Sequence, residues 1–130
     1  MTFIHGDIKS PNLFYDPSQD NEPYFIDWQH CAIGKGVQDL VFFIIESFDE
    51  QTMLSKCPSL KKYYFDCLKK HGIQEYGWEE FETDFWNAIY YIPFFTSIWF
   101  GTVPQDELID PEFPHSFIKK LFLLIDVLGK

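Results

Sequence analysis

The sequence predicts an α+β fold, mostly helical, with a small β-hairpin near its N-terminus, and three observations carry that expectation. Short apolar runs separated by turn-forming residues fill the first thirty positions. Helix-period apolar spacing takes over at Val37 and recurs toward the C-terminus. The chain of 130 residues, 46% hydrophobic and 20% aromatic, suits one domain with a real core and falls outside the disordered class.

Leu13 to Tyr15 and Tyr24 to Ile26 are apolar or aromatic runs joined by DPSQDNEP, whose Asp, Asn, Ser and Pro residues mark a turn. Together they read as a hairpin. From Val37 the segment VQDLVFFIIESF is almost continuously apolar and reads as a helix buried on most sides. Ser59 to His71 is a second helix: Leu60, Tyr64, Cys67, Leu68 and His71 share one face, Lys69 and Lys70 occupy the last turn, and Gly72 follows as a stop.

A third helix begins near Trp78, where Phe81, Phe85, Ile89 and Ile92 repeat at helical spacing and Glu79, Glu80, Glu82 and Asp84 crowd the N-terminal turns. Pro93 is expected to bend or break it. The uncharged run Ala88 to Val103 is 16 residues, short of the roughly 20 a bilayer requires, and reads as a buried helix. Phe117, Ile118, Leu121, Leu124, Ile125 and Leu128 define a fourth, amphipathic helix. The expected architecture is a hairpin followed by about four helices, with polar functional residues where the strands end.

Composition narrows the partners. A formal charge of −10 with only ten Lys and Arg argues against nucleic acid, whose phosphates demand basic clusters. An acidic site that meets a nucleotide needs a divalent cation to bridge carboxylate and phosphate. Cys31, Cys57 and Cys67 form no Cys-x-x-Cys pair and fit reduced thiols, and the N-terminus carries no secretion pattern, so a cytoplasmic location without membrane insertion is expected. A zinc site built on His30 and Cys31 lacks structural zinc spacing, and His30, His71 and His115 read as core-edge or surface residues. Tyr90, Tyr91, Phe94 and Trp99 read as core packing in preference to the lining of an acceptor pocket.

The chemistry concentrates in IHGDIKSPN and FIDWQ. A His-Gly-Asp-x-x-x-x-Asn string arises by chance in about one chain in a few thousand of this length. Phosphoryl transfer needs a carboxylate beside the acceptor hydroxyl and oxygen ligands that hold magnesium against the nucleotide phosphates. Asp7 suits the first task. The hairpin returns Asp27 to the same end as Asn12, where the two can share the metal.

HGDIKSPN, then PYFIDWQ, then GVQDLVFF resemble the phosphotransferases related to aminoglycoside and choline kinases, especially the ecdysteroid kinase-like group. The resemblance implies a protein-kinase-like fold represented by its C-terminal lobe, with residues 1–130 as one domain. It implies Asp7 as catalytic base, Asn12 and Asp27 as magnesium ligands, His5 as a brace of the loop, and Asp39 as the helix-opening aspartate that ties the loop down. Lys9 stands where protein kinases carry a lysine that reaches the transferred phosphate; a solvated loop lysine is the competing reading. Asp39 follows Asp27 by only 12 positions and no Ala-Pro-Glu string appears, so a small-molecule hydroxyl acceptor is expected, with ATP as co-substrate, in place of a protein substrate.

The catalytic string begins at residue 5, ahead of which the fold would place a nucleotide-binding lobe with a Gly-rich loop and phosphate-binding lysine. The expectation is therefore a lobe inactive alone, either part of a longer phosphotransferase or completed by another chain. The alternative is a noncatalytic, pseudokinase-like binding module, against which the joint presence of Asp7, Asn12 and Asp27 counts.

Overall fold

A computed structural model of the chain describes residues 1–18, 22–104, 106 and 110–129, with the Trp99 side chain outside that set. Two antiparallel ribbons open the fold, one nested inside the other. Strand β1 (Thr2–Ile4) pairs with β4 (Ala32–Gly34), Phe3 opposite Ile33. Between them in sequence, β2 (Leu13–Tyr15) pairs with β3 (Pro23–Phe25), Phe14 opposite Tyr24. The nesting forces the two segments that link the ribbons, 5–12 and 26–31, to run side by side. A bond from the Ile26 N–H to the Asn12 carbonyl at 3.1 Å records that contact.

The inner ribbon is the expected hairpin, with its second strand at Pro23–Phe25, one residue earlier than the run Tyr24 to Ile26, and the Ile26 N–H to Asn12 carbonyl bond continues the same register. The outer ribbon has no counterpart in the sequence reading. Its three-residue strands, TFI and AIG, are too short for alternation to register.

Four helices follow: α1 (Val37–Ser47), α2 (Glu50–Lys70), α3 (Trp78–Thr102) and α4 (Phe113–Leu128). Helix α1 packs against each of the other three. Its Val41, Ile44 and Ile45 are fully buried with Met53 and Cys57 of α2, Phe81, Phe85 and Ile89 of α3, and Leu121 and Leu124 of α4. No helix among the described residues is long and apolar enough to cross a membrane, and Cys31, Cys57 and Cys67 are free thiols.

Three helix boundaries depart from the sequence expectation. Helix α2 starts nine residues before Ser59 and runs through Pro58. Asp49 caps it, accepting from the Thr52 N–H at 3.0 Å and the Thr52 hydroxyl at 2.7 Å. Burial of Met53 and Cys57 on that first half offsets the roughly 3 kcal/mol an interior proline costs a helix. Helix α4 begins at Phe113, with Pro114 in its first turn, where a missing N–H costs nothing.

Helix α3 likewise passes through Pro93 and continues to Thr102. Its second half is not buried as expected: Ala88, Ile89, Ile92 and Thr96 face inward, while Tyr90, Tyr91, Phe94, Phe95 and Ile98 are exposed. A helix packed on one side buries only one stripe, so the core-packing reading is overturned for Tyr90, Tyr91 and Phe94. The Trp99 side chain lies outside the described residues.

Candidate functional site

The segment after β1 is shaped by a glycine and held by a helix. Gly6 adopts φ +81°, and a Cβ there would stand 2.2 Å from the His30 carbonyl oxygen, so only glycine permits both the turn and the close approach of segment 26–31. The Asp39 carboxylate, in the first turn of α1, accepts from the His5 N–H at 2.8 Å and the Gly6 N–H at 2.9 Å. At the other end of α1, the Ser47 hydroxyl oxygen accepts from the Ser10 N–H at 3.1 Å. Residues 5 to 10 are thus fastened along the helix at both ends.

His5 is buried and joins the two linking segments. Its Nδ1 lies 3.2 Å from the Asp7 N–H and its Nε2 lies 2.9 Å from the Ile26 carbonyl oxygen. Only the neutral tautomer protonated on Nε2 satisfies both, because Nδ1 must accept and Nε2 must donate. The ring also packs on Trp28, centroids 4.5 Å apart.

Asp7 and Asn12 are buried together. Asn12 Nδ2 donates to the Asp7 carbonyl at 2.8 Å and to Asp7 Oδ2 at 3.1 Å. Lys9 Nζ sits 2.9 Å from each Asp7 carboxylate oxygen. Lys9 is therefore paired with Asp7 and is not a freely solvated loop residue. The Asn12 amide is used as a donor toward Asp7, which leaves Oδ1 as its ligand atom.

Asp27 follows β3 in the left-handed region, φ 64°, an uncommon backbone for a residue other than glycine. It is exposed, and no described residue hydrogen-bonds its carboxylate. It lines the same cavity as Asp7 and Lys9. An exposed carboxylate and an amide oxygen are hard ligands of the kind magnesium takes when substrate phosphates and water complete its shell. No cluster of three or more His, Cys, Asp or Glu suited to a metal occurs among the described residues.

One further residue of this cavity has no place in the sequence motif. Glu46 of α1 lines it, and no described residue offers its Oε1 a hydrogen bond although that atom is fully buried. Burial pushes its carboxyl up to about 7, with Lys9 and Lys120 pulling it down and Asp7 adding to the rise. The signal was present in the sequence as the one acid inside VFFIIESF, a charge in an otherwise apolar run. Ser47, next to it, gave no such signal.

A sequence profile of the ecdysteroid kinase-like family matches residues 1–74, the span that contains both ribbons, α1 and α2. No curated protein and no solved structure matches the chain.

Proposed function

The chain belongs to the ecdysteroid kinase-like family of kinase-like phosphotransferases, and we propose that it is the catalytic lobe of an enzyme that moves the γ-phosphoryl group of ATP to a hydroxyl of a small molecule. The observation that carries this reading is the buried Asp7, its carboxylate oriented by Lys9 and Asn12 beside a cavity that also reaches Asp27.

Asp7 accepts the acceptor's hydroxyl proton as the oxygen attacks the γ-phosphorus and the bond to the ADP oxygen breaks. His5 and Asp39 position Asp7 by holding the backbone on either side of Gly6. Lys9 supplies positive charge to the phosphoryl oxygens as their charge redistributes. Asn12 and Asp27 would hold magnesium, which when bound neutralises and orients the nucleotide phosphates.

Support for a second, nucleotide-binding lobe comes from the ribbons. Phe3, Phe14, Tyr15, Tyr24, Phe25 and Ile33 are exposed on them, an apolar surface of the kind that another lobe covers. On this reading residues 1–130 form one C-terminal domain of a protein-kinase-like fold and are inactive without that lobe, whether it is supplied in the same chain or by another.

The test is phosphorylated product measured by mass spectrometry with Mg·ATP and a panel of small alcohols. The chain is assayed alone and with a nucleotide-binding lobe from a family relative fused ahead of residue 1. Product is expected only from the fused form, and Asp7→Ala should lower it by about 10²–10⁴. A fused form whose product yield is unchanged by Asp7→Ala, or that yields none with any alcohol, overturns the proposal.

A further inference from the structure

The cavity beneath Asp7 has two unlike surfaces. Phe42, Phe95, Phe100, Phe113 and Phe117, from α1, α3 and α4, make its wall, and Glu46 is the acid set among them. Its volume is about 130 Å³. A cavity of about 150 Å³ holds benzene, so the space suits one six-membered ring and little more.

A buried carboxyl oxygen without a protein partner is costly unless something completes it. Glu46 lines the same cavity as Asp7 and Lys9, which sets its carboxyl group beside the space an acceptor would take.

We propose that Glu46 is a specificity-determining residue, which hydrogen-bonds a second hydroxyl on a ring of the acceptor while the hydroxyl to be phosphorylated stands at Asp7. This rests on the phosphotransferase reading and assigns a role within it. A neutral hydroxyl is favoured over an ammonium group for two reasons. Lys9 and Lys120 already act on the Glu46 carboxyl as nearby cations, so it does not depend on the acceptor for a counter-charge. A hydroxyl also both donates and accepts, and so satisfies Glu46 in either protonation state, whereas an ammonium only donates.

The test measures binding alone and needs no phosphoryl transfer, so its failure is distinct from failure of the catalytic reading. Cyclohexane-1,4-diol and cyclohexanol are titrated into the 130-residue chain, with dissociation constants read from NMR shifts of the cavity residues. The parent should bind the diol about ten-fold more tightly, the equivalent of one hydrogen bond to a charged group. Glu46→Gln, which keeps an acceptor oxygen, should retain part of that preference. Glu46→Leu should abolish it by weakening the diol alone, with cyclohexanol unchanged.

Equal affinity of the parent for the two alcohols overturns the proposal, as does an undiminished diol preference in Glu46→Leu or no binding of either alcohol. Should Glu46→Leu not fold, Glu46→Ala is read by the same comparison.

Discussion

Asp39 and Ser47 stand eight positions apart on α1, about 12 Å along the helix, and each accepts a backbone N–H from the segment that carries Asp7. The helix that forms the centre of the core therefore also holds the candidate catalytic loop.

The two attachments should differ in strength. Asp39→Asn keeps one acceptor oxygen and faces the other backbone N–H with an NH₂ group, so it should lower stability by roughly 2–3 kcal/mol. Ser47→Ala removes one exposed bond and should cost no more than about 1 kcal/mol. Urea midpoints at unchanged slope measure both. A larger loss in Ser47→Ala than in Asp39→Asn would refute this ordering.

Gly6 and Gly72 both have positive φ, +81° and +92°, but only Gly6 is crowded. At Gly72 nothing lies within 4 Å of an added Cβ, so Gly72→Ala should cost only the left-handed strain, about 1 kcal/mol. Gly6→Ala adds a clash with the His30 carbonyl and should cost more than about 2 kcal/mol, with broadened signals across residues 26–31. Equal losses in the two variants would contradict the close approach.

Glu46 should make stability fall with pH. Its folded-state carboxyl sits at about 7 against an ordinary 4.5, so the native state keeps a proton that the unfolded chain releases between those values. Stability is then highest below pH 4.5 and is lost as pH rises through 7, with Asp7 opposing ionisation and Lys9 and Lys120 favouring it. Glu46→Gln does not titrate. Relative to the parent it should gain on the order of 1–2 kcal/mol between pH 4 and pH 8, solvent access at this partly exposed residue reducing the effect. Chemical denaturation at the two pH values measures it, and a constant difference would sink the assignment.

Pro58 is exposed in the interior of α2, where it withholds one helix hydrogen bond. Pro58→Ala should restore that bond and stabilise the fold by about 1–2 kcal/mol, the helix gain exceeding the entropy returned to the unfolded chain. A lower melting temperature in the variant would show that the proline is needed where it stands.

How much of this was legible beforehand follows the range of each signal. The inner ribbon, the four helices and the closeness of Asn12 to Asp7 were readable because each rests on short-range pattern: apolar spacing, turn residues, and polar residues placed where a hairpin begins. The helix starts at Glu50 and Phe113 were not, since Pro58 and Pro114 read locally as breaks. The β1–β4 ribbon was missed because its strands are three residues each and 28 residues apart in sequence.

By itself, then, the sequence determined the mostly helical α+β class and the local string from His5 to Asn12. Only the tertiary structure decided that α1 clamps this string at Asp39 and Ser47, that Tyr90, Tyr91 and Phe94 face outward, and that Glu46 joins Asp7 and Asp27 in lining one cavity. The reason is physical. Backbone pattern and turn chemistry act between near neighbours, whereas burial and the pairing of polar groups across 30 or more positions exist only once the helices have packed.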